Sequence, residues 1–214
     1  MVLPNATLFP RTMLPLYIFE PWYRKMLSRS LKGNRMFAVA MKKADCSREI
    51  PSRVAGLGIV RVAVRNDDGT YHLVLQGLSR IELGKALSYR PFRRHRFSVI
   101  EAQSRETEDV RSLMQQIVQL IQIRLSQGYK VSVEILKDIA TAKTPALEKM
   151  VGQSVDEALA KMAQVADPEQ LIDLVSCTFL TIPRERQTML EVIDIEARLN
   201  SLISFLSAEV ARNA

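Results

Sequence analysis

Few side chains in this 214-residue sequence are of the types that carry covalent chemistry, and their spacing does not assemble them. The two histidines, His72 and His95, fall in a strand-like segment and in a basic stretch, and spacing neither specifies nor forbids a Ser–His–Asp site around them. Cys46 and Cys177 have no Cys-x-x-Cys companion, which argues against a thiolate metal knot and fits a reducing compartment. Cys46, in a charged loop, offers at most an isolated thiol. Asp67-Asp68 precede Gly69, so they read as turn chemistry rather than a pair of acid/base carboxylates. Gly84-Lys85-Ala86 lacks both the upstream glycine and the hydroxyl of a phosphate-cradling loop. The expectation is a protein with no catalytic residues, no metal and no cofactor, whose work is binding.

Two sets of residues suit binding. Tyr17, Phe19, Trp22, Tyr23 and Phe37 are aromatics that could line a groove or sheet edge, where main-chain pairing gives sequence-tolerant affinity for polypeptide. Arg90, Arg93, Arg94 and Arg96 interleave with Phe92 and Phe97, a pattern that could pair RNA phosphates while stacking bases. The same stretch also reads as a solvated edge strand whose arginines oppose aggregation. Charge divides with position. Residues Met1–Gln103 carry 18 Lys/Arg against 7 Asp/Glu, net +11, and Ser104–Ala214 carry 12 against 16, net −4. A basic half attracts polyanions or acidic polypeptide segments, although the halves also complement one another.

The elements that must position these residues change period at the same place. Met13–Phe19 is a short apolar run rich in β-formers, and Pro21 opens a helix whose stripe is Trp22, Tyr23, Met26, Leu27 and Leu31, closed by Gly33. Strands are expected at Met36–Met41, Val54–Val64, Tyr71–Gln76, Ser79–Leu87 and Tyr89–Ala102. Lys42–Arg53 reads as a loop, and Asn66–Thr70 as a hairpin turn with Gly69 available for positive φ. From Ser104 the period is 3.6. Ser104 or Thr107 caps a helix with acidic residues in its first turn, and its stripe from Val110 to Leu125 ends at Gly128. Further helices are expected at Ser132–Lys143, within Ser154–Val165, from Pro168, from Pro183, and from about Asp194 to Arg212. Ile195, Leu199, Leu202 and Leu206 form a seam of under two heptads, which suits packing within the chain better than a coiled coil between chains. The fold class is α+β, with a strand-rich domain at 1–103 and a helical domain at 104–214. No apolar run approaches the ~20 residues that span a bilayer. The start of the sequence has no basic segment or cleavage site of a secretory signal, so the cytoplasm is the expected location.

Three blocks in order carry a family resemblance. The first holds Leu3-Pro4, Phe9-Pro10, Leu14-Pro15-Leu16, Ile18-Phe19-Glu20, Tyr23-Arg24 and Met26. The second is Asp68-Gly69 with Leu73-Val74-Leu75, Gly77 and Arg80. The third runs from Asp167-Pro168, Leu171 and Asp173 through Ile182-Pro183, Arg186-Gln187 and Leu190-Glu191 to Asp194 and Arg198-Leu199. Together they resemble the N-terminal domain of Lon proteases over nearly the whole chain, departing at Pro21-Trp22 on the first helix. The resemblance implies a PUA-like mixed β-barrel with one early helix, followed by an all-α bundle. It also implies capture of unfolded or degron-bearing polypeptides, and an adaptor or regulatory role beside a separate Lon-type protease. The ATPase and Ser–Lys protease domains of full-length members have no counterpart in these residues, so no enzymatic activity is expected. RNA binding by the basic barrel surface is the alternative.

Overall fold

The computed structural model describes residues 1–44, 46, 48–101, 107–127, 165 and 167–212. They belong to two compact units, one within Met1–Ile100 and one from Glu101 onward. The fold is mixed α+β. Its strands are β1 (Val2–Leu3), β2 (Met13–Ile18), β3 (Met36–Met41), β4 (Val54–Arg65), β5 (Tyr71–Ser88) and β6 (Arg94–Ile100). Its described helices are α1 (Pro21–Leu31), α2 (Glu108–Ser126), α3 (Pro168–Phe179), α4 (Pro183–Glu191) and α5 (Ile195–Arg212). None of them is long and apolar enough to cross a membrane.

In the first unit the sheet order is β1-β3-β4-β5-β2, with β6 also paired to β5. Only β1–β3 is parallel. The β4–β5 hairpin turns at Asn66–Thr70, where Asp68 Oδ1 accepts from the Thr70 amide (2.9 Å) and hydroxyl (2.6 Å). Gly69 takes φ +79° there, a value that side-chain-bearing residues rarely adopt. The hydrogen bonds from Thr70 hold the Asp68 carboxyl below its usual range.

The expected strands Tyr71–Gln76 and Ser79–Leu87 are one 18-residue strand, β5. Gly77 reads as a break, yet it sits inside because another backbone crosses it. Its amide donates to Thr12 O and its carbonyl accepts from the Arg11 amide, both at 2.9 Å. A Cβ at Gly77 would lie 1.9 Å from Phe9 O, and one at Gly56 would lie 2.0 Å from Leu8 O. These glycines let the Leu8–Thr12 segment lie on the sheet. The expected strand Tyr89–Ala102 is shorter than read, β6 starting only at Arg94. The core is Leu8, Ile18, Tyr23, Met26, Leu27, Phe37, Val39, Val60, Leu73 and Leu75, with α1 laid against it by Tyr23, Met26 and Leu27.

In the second unit each helix start is chemically marked. Thr107 Oγ1 accepts from Val110 N (3.3 Å), Asp167 Oδ1 from Glu169 N (3.0 Å) and Asp194 Oδ1 from Ala197 N (2.8 Å). Pro168 and Pro183 occupy first-turn positions where no intrahelical N–H is needed. α2 packs on α5 and buries Val110, Ile117 and Ile121. Ile195, Leu199, Leu202 and Leu206 are all buried within the chain. Arg198 is fully buried, 3.6 Å from both Asp173 Oδ1 and Glu169 Oε1, and donates to Ile193 O at 3.1 Å. Arg124 Nη2 lies 2.8 Å from Glu209 Oε2. The expected helices at Ser132–Lys143 and Ser154–Val165 fall outside the described residues, Val165 apart.

Candidate functional site

Helix α1 and the turn joining β5 to β6 face each other across a groove of about 710 Å³. On one wall the Pro21 start of α1 sets Trp22 at its mouth, 49% exposed, with Lys25 one turn further on. On the other wall are Tyr89, 65% exposed, and Arg90. Val2, Met26 and Phe92 supply apolar lining.

A polar network ties the groove together from residues far apart in sequence. The Tyr23 hydroxyl accepts from the Val2 amide (3.0 Å), and its single proton faces Val2 O (3.0 Å) and Glu49 Oε1 (2.8 Å). Burial, together with the Glu49 carboxylate, pushes this phenol above its ordinary range, so it stays protonated and a donor. Arg93 donates to the Glu49 carbonyl, places Nε 3.8 Å from Glu49 Oε2 and lies 5.4 Å from the Tyr89 ring centroid. Among the described lining residues the charged side chains are three cations, Lys25, Arg90 and Arg93, and one carboxylate, Glu49.

The sequence-derived candidates separate into two kinds. Tyr17, Phe19 and Trp22 are exposed. Tyr17 stacks on Phe19 at 5.9 Å and meets His72 at a tilt at 4.8 Å, forming an aromatic stripe along the end of β2 and the start of β5. Tyr23 and Phe37 are only 7% and 8% exposed and belong to the core, because their rings fill the space under α1 and behind β3. Tyr23 nevertheless lines the groove, where its hydroxyl meets Glu49. The four arginines split as well: Arg90 and Arg93 line the groove, while Arg94 and Arg96 are exposed on β6.

Lys25, Glu49 and Tyr89 are groove residues that sequence reasoning missed. Lys25 has a usable signal, lying three residues after Trp22 and so on the same helical face. Glu49 has none, since its role rests on a contact with Arg93 forty-four residues away. Among the described residues no group of three His, Cys, Asp or Glu is placed to hold a metal ion.

Most of the residues that carry the resemblance to Lon N-terminal domains are fold determinants. Asp167 and Asp194 cap helices, Asp173 and Arg198 pair in the interior, and Asp68-Gly69 make the hairpin turn. Residues 1–208 match the profile of the ATP-dependent protease La (LON) substrate-binding domain. The Lon protease of Dictyoglomus thermophilum is 23% identical over 211 residues, covering 97% of this chain and 24% of that protein. The Lon protease of Desulfosudis oleivorans is 24% identical over 215 residues, with 98% and 24% coverage. The chain thus spans about a quarter of the length of these relatives. In fold it is similar to the N-terminal domain of Mycobacterium avium complex Lon protease, with a TM-score of 0.62, 17% identity, and coverage of 97% of this chain and 96% of that one. A Lon N-terminal domain protein from Xanthomonas campestris gives 0.53 at 14% identity, with 95% and 96% coverage. The chain belongs to the family of the ATP-dependent protease La (LON) substrate-binding domain.

Proposed function

We propose that this chain captures unfolded or degron-bearing polypeptides in the groove between α1 and the β5–β6 turn, as an adaptor or regulator that works with a Lon-type protease in the cytoplasm. The observation that carries the reading is the pair Trp22 and Tyr89, two large aromatics left 49% and 65% exposed and brought to one groove by α1 and by the turn after β5, in a chain of a substrate-binding family. Aromatic rings give much contact area at little conformational cost, and they dominate the energetics of peptide interfaces. The stripe of Tyr17 and Phe19 extends the apolar surface available to an unfolded chain. The reading requires no chemistry of the protein itself, only binding. It goes with closure of the sheet as a PUA-like barrel and packing of the helices as an all-α bundle, the architecture that the family resemblance implies.

The test is capture of a permanently unfolded polypeptide, carboxymethylated lactalbumin, followed by fluorescence anisotropy. The expected result is saturable binding that weakens about tenfold or more in Trp22→Ala/Tyr89→Ala, the loss of roughly 1.4 kcal/mol or more that truncated aromatic anchors give. Undiminished binding by that variant removes the groove from the reading, and no binding by the parent removes the reading itself.

A further inference from the structure

Building on that reading, we propose that the groove selects apolar peptide segments flanked by acidic residues. Each aromatic at its mouth has a cation beside it. Lys25 lies one helical turn after Trp22 on α1, and Arg90 follows Tyr89 in the turn before β6. Neither Lys25 nor Arg90 has an ion-pair partner among the described residues. The one carboxylate among the described lining residues does not offset them, because Glu49 already serves the Tyr23 hydroxyl and Arg93. Arg93 in turn is held over the Tyr89 ring. The net excess of cations is therefore carried by two exposed side chains on separate elements, one at each wall.

A ligand that matches this arrangement has an apolar or aromatic centre to lie between Trp22 and Tyr89, with carboxylates on both sides to meet Lys25 and Arg90. A volume near 710 Å³ lies within the ~300–1,000 Å³ typical of ligand pockets, so it admits a few side chains of an extended segment rather than a folded domain. The surplus of 18 basic over 7 acidic residues in Met1–Gln103 draws such segments in and repels basic ones.

The measurement uses the full chain and its sole tryptophan, Trp22, as a reporter inside the groove. Three peptides with a Leu-Phe-Leu centre are titrated, flanked on each side by two aspartates, two serines or two lysines. Tryptophan emission should respond to all that bind, with the aspartate peptide tighter than the serine peptide by about five- to tenfold at low salt, the combined effect of two partly exposed ion pairs. The lysine peptide should bind weakest. The advantage should vanish near 1 M NaCl, where the screening length falls to about 3 Å. Lys25→Ser/Arg90→Ser should erase the aspartate preference, so that this variant binds the aspartate and serine peptides alike, and Lys25→Glu/Arg90→Glu should invert it. Equal affinities for the three peptides overturn the selectivity but leave polypeptide capture standing, whereas no binding of any peptide overturns both. An aspartate peptide that binds without changing Trp22 emission places the preference elsewhere and defeats the assignment. So does a single-stranded RNA oligonucleotide that displaces the peptides and binds more tightly than any of them.

Discussion

The helical unit buries two arginines against carboxylates, whereas the strand-rich unit holds at a groove two cations that have no ion-pair partner among the described residues. Arg198 is enclosed with Asp173 and Glu169, and Arg124 with Glu209. Lys25 and Arg90 face solvent. The first arrangement is an expensive way to hold helices together, since desolvating both ions offsets most of their attraction. It does specify which helix meets which, because a misplaced partner leaves a bare charge inside. The second contributes little to stability and leaves its charge available to a ligand. Identical residue types thus do opposite work according to burial, and substitutions should separate the two.

Arg198→Met should have the largest effect. It removes the buried counter-charge of Asp173 and should cost about 3–5 kcal/mol in urea unfolding, most of it recovered in Arg198→Met/Asp173→Leu, where of the two carboxylates only the partly exposed Glu169 remains. An unrecovered double variant would mean that the pair does more than compensate its own burial. Next comes Gly77→Ala, whose new Cβ would meet Phe9 O at 1.9 Å and should cost ~1–3 kcal/mol or more. Gly33→Ala is its control, with nothing closer than 3.6 Å, and should be neutral within a few tenths of a kcal/mol. In the strand-rich unit, Lys25→Ser/Arg90→Ser should shift stability by under about 0.5 kcal/mol while changing peptide choice, so a large loss of stability there would collapse the distinction between the units.

The smallest effect is pH-dependent and sits beside the second buried pair. Burial alone would raise Glu209, but hydrogen bonds from Thr181 and Arg124 outweigh it and hold the carboxyl below 4.5. A depressed folded-state value means stability that is fully present above about 4.5 and is lost as pH falls through the folded value. Glu185 behaves oppositely, raised first by burial and then by Glu209. Its folded state binds a proton more tightly than the unfolded chain does, so acidification from neutral pH first favours the fold. Glu185→Gln should therefore raise the melting temperature slightly at pH 7 and remove that initial gain, seen in melts from pH 7 to 3.

The sequence made the local devices legible. Thr107, Asp167 and Asp194 announce helix starts by side-chain type, and Asp68-Gly69 announces the hairpin, because each acts on a backbone two or three residues away. Long-range devices were not legible. Gly77 looks like a strand break until Phe9 is known to cross it, and Glu49 looks like a loop charge until Arg93 and Tyr23 reach it. The same limit governed the aromatics. Composition placed Tyr17, Phe19, Trp22, Tyr23 and Phe37 in one set, and only packing sorts the three exposed rings from the two that fill the core. The groove joins a helix, a loop and a turn that are far apart in the sequence, which is why Trp22, Tyr23, Arg90 and Arg93 were named for two separate surfaces and not for one.

The continuity of β5 has a consequence for the order of assembly. Its pairing with β4 runs from Arg65↔Tyr71 to Val54↔Glu82, so its contacts close over a five-residue turn outward, each one near in sequence to the last. β2 and β6 then have a formed ribbon to join, one along its first half and the other along its second. Pairings that are local in sequence incur little loop-closure entropy and tend to form first. Amides of β5 within Tyr71–Gln76, flanked by β4 and β2, and within Arg80–Glu82, flanked by β4 and β6, are expected to exchange with deuterium last under native conditions, and those of the Leu8–Thr12 crossing early. The crossing that hides the continuity of β5 in the sequence would then be a late clasp over a ribbon already made.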